Sequence, residues 1–307
     1  MFPFHLDRPR HQRRLLFRGL LLMPQLRHKG FPGWALLAGL VLFFGTGSAT
    51  AQQKPQRVVS LNLCADQLLL ALADREQIAS LSPLVRDRSI SFLAEQAEGL
   101  PTNVGKGEAI LFSSADLVLA GTYGQHSRTA LLRGQGLEVM PLEPWRSLDH
   151  GREQIRLVAH RLGHPDRGEA LIREIDAALQ RTRSIVPAQR SILTYYRRGW
   201  VPASNSLVSE MLRHMGFTMH QDTLGMSSGG VAQLETIVAL PPDYLLMDED
   251  AGRTVDNGSA LLAHPALADT VPAHRRLIMP GRLAICGGPS TPAAIDALGA
   301  QVRAKVR

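Results

Sequence analysis

Two stretches of this chain, far apart in sequence, are built alike. GEAILFSSADLVLAG runs from Gly107 to Gly121, and LETIVALPPDYLLMD from Leu234 to Asp248. Aligned on Glu108 and Glu235, they pair Ile110 with Ile237, Asp116 with Asp243, and Leu119 with Leu246. Each reads as a short helix opened by a glutamate, then a tight turn ending in aspartate, then a buried strand. A unit that recurs with its flanking elements constrains the fold strongly, because it calls for two lobes on one plan.

The surrounding pattern agrees. The β-branched run Arg57–Asn62 and the stretches Ile78–Ser82 and Leu137–Leu142 read as strands. Helical periodicity appears over Cys64–Asp74, near Ile90–Ala97, and over Ser127–Gly136. Such alternation is the mark of a parallel sheet covered by helices. From Leu148 to Val186 the pattern is helical alone. One segment stops at Gly163, and a second opens at Asp166 and Glu169 as a variant of the capping box. That second helix carries Leu171, Ile175, Ala178, Leu179 and Thr182 on one face, and Pro187 ends it. Alternation resumes with a strand at Ser191–Tyr196 and a helix at Ser206–Gly216. The second repeat copy follows, then a polar loop with Asn257 and Gly258. A strand at Arg275–Pro280 and a helix from Pro292 close the chain. The chain therefore reads as α/β: a leader over 1–51, one lobe over 52–163, a connecting helix over 164–187, and a second lobe over 188–307.

The net charge of +7 suits a nucleic-acid binder until its position is examined. Seven basic residues and one acid lie before Gln52, so the leader holds +6 of it, and 27 basic residues face 26 acidic ones thereafter. No field that gathers nucleic acid is expected. The leader reads as a secretory signal, with basic residues through Lys29, an apolar run Trp34–Phe44, and Ala49 and Ala51 in an A-x-A arrangement. Cleavage is expected after Ala51, and the length before Met23 points to Met23 as the start. The apolar run is too short to span a bilayer of about 30 Å. An uncleaved N-terminal anchor is the alternative. Cys64 and Cys286 both lie beyond the leader, neither in a lipobox. In an oxidising compartment they form an inter-lobe disulfide, stay as two buried thiols, or place one sulfur on a ligand.

The order of these motifs resembles the periplasmic solute-binding proteins of ABC importers for iron–siderophores, haem and cobalamin. The resemblance rests on RVVSLN–CADQLLLAL, on SADLVLAG, on the helix after Gly163 and on QLETIVALPPDYLL, and it covers nearly all of residues 57–304. It implies two Rossmann-like lobes joined by a single long rigid helix, a ligand in the cleft between them, a monomer in the periplasm, and transport without catalysis. It further implies that Glu108 and Glu235 meet arginines of an inner-membrane permease dimer. It also matches Trp200 to an aromatic that faces ligand in cobalamin-binding relatives. Two departures point from cobalamin toward an iron complex: GMSSGGVAQ lacks the aromatic those relatives carry before the second glutamate, and NVGKG before Glu108 is shorter.

Ligands of parallel α/β sheets sit beyond the carboxyl ends of the strands. Asn62, Arg86, Tyr123, Trp200 and Arg282 fall at such ends and are the expected ligand contacts, Tyr123 by stacking or phenol ligation and Arg282 by pairing with a ligand carboxylate. The histidines are scattered, so no zinc or manganese site is expected, although His126 stands three residues from Tyr123. H-E-x-x-H and P-loop signatures are missing, as is a G-x-G-x-x-G loop after the first strand; a periplasmic enzyme and a receptor-type sensor are the alternatives from other classes.

Overall fold

The computed structural model describes residues 53–104, 107–122, 126–248 and 260–307. The expected leader, its cleavage point, Tyr123 and the loop with Asn257 and Gly258 lie outside the described residues, as does the His126 side chain.

Four strands make the first sheet: β1 (Val58–Ser60), β2 (Ile78–Ser80), β3 (Leu117–Gly121) and β4 (Val139–Leu142), in the order β2-β1-β3-β4. The second contains β5 (Arg190–Thr194), β7 (Phe217–Met219), β9 (Tyr244–Asp248) and β10 (Arg276–Met279), in the order β7-β5-β9-β10. All pairings in both are parallel. Counted along the chain, each sheet runs 2-1-3-4. The repeat seen in sequence is thus a repeat of topology. Its aspartate has the same work in both lobes. Asp116 accepts from the backbone N–H groups of Gln56 (2.6 Å) and Arg57 (3.0 Å), fixing the entry of β1 beside β3. Asp243 accepts from the N–H of Ser191 (2.8 Å) and from its hydroxyl (3.0 Å), fixing β5 beside β9.

Each strand alternates between two cores. Val58, Leu117 and Leu119 join Ile192, Tyr244, Leu246, Leu277 and Met279 in one cluster that spans both lobes. Val59, Val118 and Ala120 face outward onto α2 (Gly107–Leu111) and α3 (His126–Gly134), where Ile110 and Leu132 cover them. Leu193, Leu245 and Met247 do the same beneath α8 (Leu234–Ala239) and α9 (Pro265–Thr270). Both faces of each sheet are buried, which is why these strands read as unbroken apolar runs.

The shared cluster is filled by α1 (Leu63–Leu72), α4 (Leu148–Leu162), α5 (Pro165–Thr182), α6 (Leu207–Met215) and α11 (Thr291–Lys305). In chain order α4 and α5 lie between the two sheets. α5 has 18 residues, about 27 Å at the helical rise. The five positions expected on its inner face are all buried. Arg181 pairs with Asp296 of α11 at 2.7 Å.

Four details differ from the sequence reading. The stretch Ile90–Ala97 is a run of turns, held by Gln67, whose side chain accepts from Leu93 N–H and donates to Ser91. Asp166 and Glu169 do not cap α5. Its N-cap is His164 with Pro165 at the first position, and Glu169 pairs instead with Arg156 of α4 at 2.7 Å. α5 stops at Thr182, where Arg183 turns extended and Ser184 takes φ 50°, so Pro187 lies beyond its end. Short elements were also missed: β7, α7 (His220–Thr223), α10 (Gly281–Ala284) and the antiparallel pair β6 (Trp200–Val201) with β8 (Gly230–Val231). Runs of two to four residues are too short to show a period. Among the described residues no helix is long and apolar enough to cross a membrane.

Candidate functional site

A cavity of about 550 Å³ lies between the lobes. It opens at the carboxyl ends of both sheets, where α/β folds place ligands. Asn62 follows β1, Gly121 ends β3 and Thr122 follows it, Trp145 follows β4, Tyr196 follows β5, and Met279 ends β10; all line it. Its wall is mainly apolar. Leu63 and Leu68 come from α1, Leu207 and Met211 from α6, and Leu283 and Ile285 from the α10 region.

Asn62 is first a structural residue. Its Oδ1 accepts from Ala65 N–H at 2.8 Å and caps α1, while its amide nitrogen lies against the space a Cβ on Gly121 would take. Trp145 is held more tightly. A Cβ on Gly151 or on Gly287 would fall 2.3 Å from its ring, so the indole fits only between two glycines, one on α4 and one on the loop before α11. Its Nε1 donates to Gln154 Oε1 at 3.1 Å, and Gln154 donates to the carbonyl of Glu143 at 2.9 Å.

Beside Trp145, Cys64 and Cys286 are joined in a disulfide, with Cα atoms 5.2 Å apart. One belongs to α1 of the first lobe and the other to the loop between α10 and α11 of the second, and both line the cavity. A second tie across the lobes is polar. Glu210 of α6 accepts from Leu148 N–H at 2.7 Å and so places a carboxylate at the N-terminus of α4.

Tyr196 brings a phenol to the cavity. Burial pushes its pKa up, and the nearby negative charge of Asp248 pushes the same way, so it stays protonated as a donor. The sequence does not single out Tyr196, because the strand expected over Ser191–Tyr196 runs through it.

Of the other expected contacts, Arg86, Trp200 and Arg282 are not among the lining residues. Arg86 donates to the carbonyl of Leu100 at 2.9 Å. Trp200 is 50% exposed on the β6–β8 pair, opposite Val231. Arg282 is exposed on α10, one residue before the lining Leu283. Glu108 and Glu235 are exposed in the first turns of α2 and α8, away from the cavity lining, above the buried Ile110 and Ile237. Among the described residues no group of three or more His, Cys, Asp or Glu side chains is placed to hold a metal ion.

Two α/β lobes of one topology, facing each other across a mainly apolar cavity, define a two-lobe binding protein. The chain belongs to the periplasmic binding protein family, which it matches over residues 58–276. It is 24% identical over 236 residues to a cobalamin-binding protein of Halobacterium salinarum, covering 73% of this chain and 62% of the relative. Among solved structures it resembles the apo periplasmic haem-binding protein RhuT of Roseiflexus sp. RS-1, with a TM-score of 0.67 and 26% identity over 82% of this chain and 99% of the other. A periplasmic haem-binding protein of Pseudomonas aeruginosa has the same fold, with a TM-score of 0.63 and 20% identity over 82% of this chain and 94% of the other.

Proposed function

We propose that this protein is the periplasmic substrate-binding component of an ABC importer, and that it captures an iron complex of the haem or siderophore kind for delivery to an inner-membrane permease. The observation that carries the reading is the apolar cavity between equivalent strand ends. A volume of about 550 Å³ falls within the range of pockets that engulf a small molecule. Its leucine and methionine walls suit the faces of a macrocycle, and the Tyr196 phenol offers one fixed polar contact. At the edge, the exposed Arg282 has no hydrogen-bond or ion-pair partner among the described residues, which leaves it available for a ligand carboxylate. A haem-binding relative in the solved structures supports this ligand class.

Cobalamin is the second reading, supported by the name of the curated relative, whose length the match spans only to 62%. Parallel absorbance titrations with haemin and cyanocobalamin separate the two. Haemin is expected to bind with a shifted Soret band, and Leu207→Trp, which fills the cavity from α6, is expected to weaken it at least tenfold. Tight binding of cyanocobalamin alone would favour the second reading, and no binding of haemin, of ferric siderophores titrated in the same way, or of cyanocobalamin would remove both.

A further inference from the structure

The Cys64–Cys286 bond has a position that an ordinary structural disulfide lacks. It joins residues 222 apart in sequence, it bridges the two lobes, and both half-cystines form part of the ligand cavity wall. Elsewhere the lobes are held together by the common helix layer of α4, α5, α6 and α11. The cavity is bounded by that layer, through Gln154, Met211 and Ala294, and by the disulfide. Two bodies joined at one region can flex about it in several directions. Joined at two, they keep only motion about the line between the attachments. Breaking the bond therefore restores freedom to the part of the wall that the helix layer does not hold.

We propose that Cys64 and Cys286 form a redox-modifiable site, a target for a dithiol reductant, whose cleavage loosens the cavity wall and speeds ligand exchange. The exposures set the order of events. Cys64 is partly exposed and Cys286 is 6% exposed, so the Cys64 side of the bond is the more open to an attacking thiolate. A new S–S bond forms between reductant and Cys64, the Sγ–Sγ bond breaks, and its electron pair leaves with Cys286, which takes a proton from water. The second thiol of the reductant then attacks its own sulfur in the mixed disulfide and frees Cys64. The reductant loses two electrons and becomes a disulfide, and the cysteine pair gains two electrons and two protons. The consequence passes to the site through adjacent residues. Gly287 is one wall of the slot that holds Trp145, and Gly288 packs against Leu68 of the cavity. When the loop is freed from Cys64, both contacts loosen together. Ligand affinity and the state of the bond are then coupled, so a ligand that prefers the bonded form favours that form by the same factor.

The ligand arm rests on the proposed binding function, while the motion arm does not. Hydrogen exchange is measured on the oxidised protein, on the protein reduced with dithiothreitol, and on Cys64→Ser/Cys286→Ser. Amides of 63–68 and 283–288 are expected to exchange at least tenfold faster in the last two samples, with β3 and β9 unchanged. In stopped-flow measurements without reductant, haemin is expected to leave the double variant at least tenfold faster than the oxidised protein, and cyanocobalamin is run in parallel. Unchanged exchange on reduction overturns the proposal. So does faster exchange throughout both sheets, which would make the bond a staple of the fold, and so does an equal dissociation rate for a ligand that binds. If neither probe binds the oxidised protein, the ligand assignment fails and the exchange data alone decide the fate of the lock.

Discussion

At the residue scale the least expected group is Asp66. The sequence offers it as a polar residue in the first turn of α1, and nothing in the spacing distinguishes it from a solvated one. In the fold it is fully buried and accepts from the N–H (2.9 Å) and the hydroxyl (2.5 Å) of Ser82. Desolvation raises its pKa to about 6, although the hydrogen bonds from Ser60 and Ser82 pull the other way. A carboxyl whose folded pKa lies above its unfolded value stabilises the fold while it is protonated. That contribution is complete below about pH 4 and is lost as pH rises through about 6. A shift of about two units corresponds to ~3 kcal/mol. Asp66→Asn removes the titration and keeps an acceptor for Ser82 N–H. Its stability relative to wild type should therefore be higher at pH 8 than at pH 4, by up to ~3 kcal/mol in urea unfolding. The same difference at both pH values would show that Asp66 does not titrate with folding.

Asn62 teaches the same lesson from the other side. Its place after a strand was legible, and its capping bond to Ala65 follows from asparagine chemistry at a helix start. Tyr196 and the slot for Trp145 were not legible, since both depend on residues brought from the far side of the molecule.

At the scale of elements, the repeat was the most informative part of the sequence. It revealed the strands β3 and β9, the helices that precede them and the equivalence of the lobes, because long apolar runs with turn residues between them carry a strong local signal. It did not reveal why aspartate ends each turn. That reason is a contact between strands, from Asp116 to Gln56 and Arg57 and from Asp243 to Ser191. The short elements around the cavity were missed for want of length, and the turns at Ile90–Ala97 imitate a helix in composition while Gln67 draws their backbone into bonds of its own. The shared role of the aspartates makes a prediction. Asp116→Ala and Asp243→Ala each leave backbone donors at a strand entry without their acceptor, a change that costs about 1–3 kcal/mol where the donors are buried. Ser191 is partly buried and Arg57 is at the strand mouth, so the loss should be larger for Asp243→Ala. Chemical denaturation of the two variants checks the order. Equal, negligible losses would mean that the repeated aspartate is not a strand tie.

For the whole molecule, the likeness of the two copies extends to the outer surface, and there it bears on the proposed permease partner. Glu108 and Glu235 stand at the same place in the two copies, each exposed in the first turn of a short helix and each above a buried isoleucine. A carboxylate there gains about 0.3–1 kcal/mol from the helix dipole. Aspartate would serve that purpose as well, so the helix dipole alone does not account for glutamate in both copies. The surroundings also match. Val104 and Val231, each four residues before its glutamate, are 71% and 57% exposed, and Phe112, one helical turn after Glu108, is 88% exposed. A carboxylate with an exposed valine four residues before it, presented twice on lobes of one topology, suits a two-fold-symmetric partner with a cation for each lobe. The permease dimer of an ABC importer has that symmetry. Glu108→Ala combined with Glu235→Ala is therefore expected to leave ligand affinity unchanged, to lower the melting temperature by no more than a few degrees, and to abolish stimulation of ATP hydrolysis and uptake in vesicles containing the permease. Undiminished uptake by the double variant, at binding-protein concentrations below saturation, would falsify the docking role and leave the glutamates as first-turn partners of the helix dipole alone.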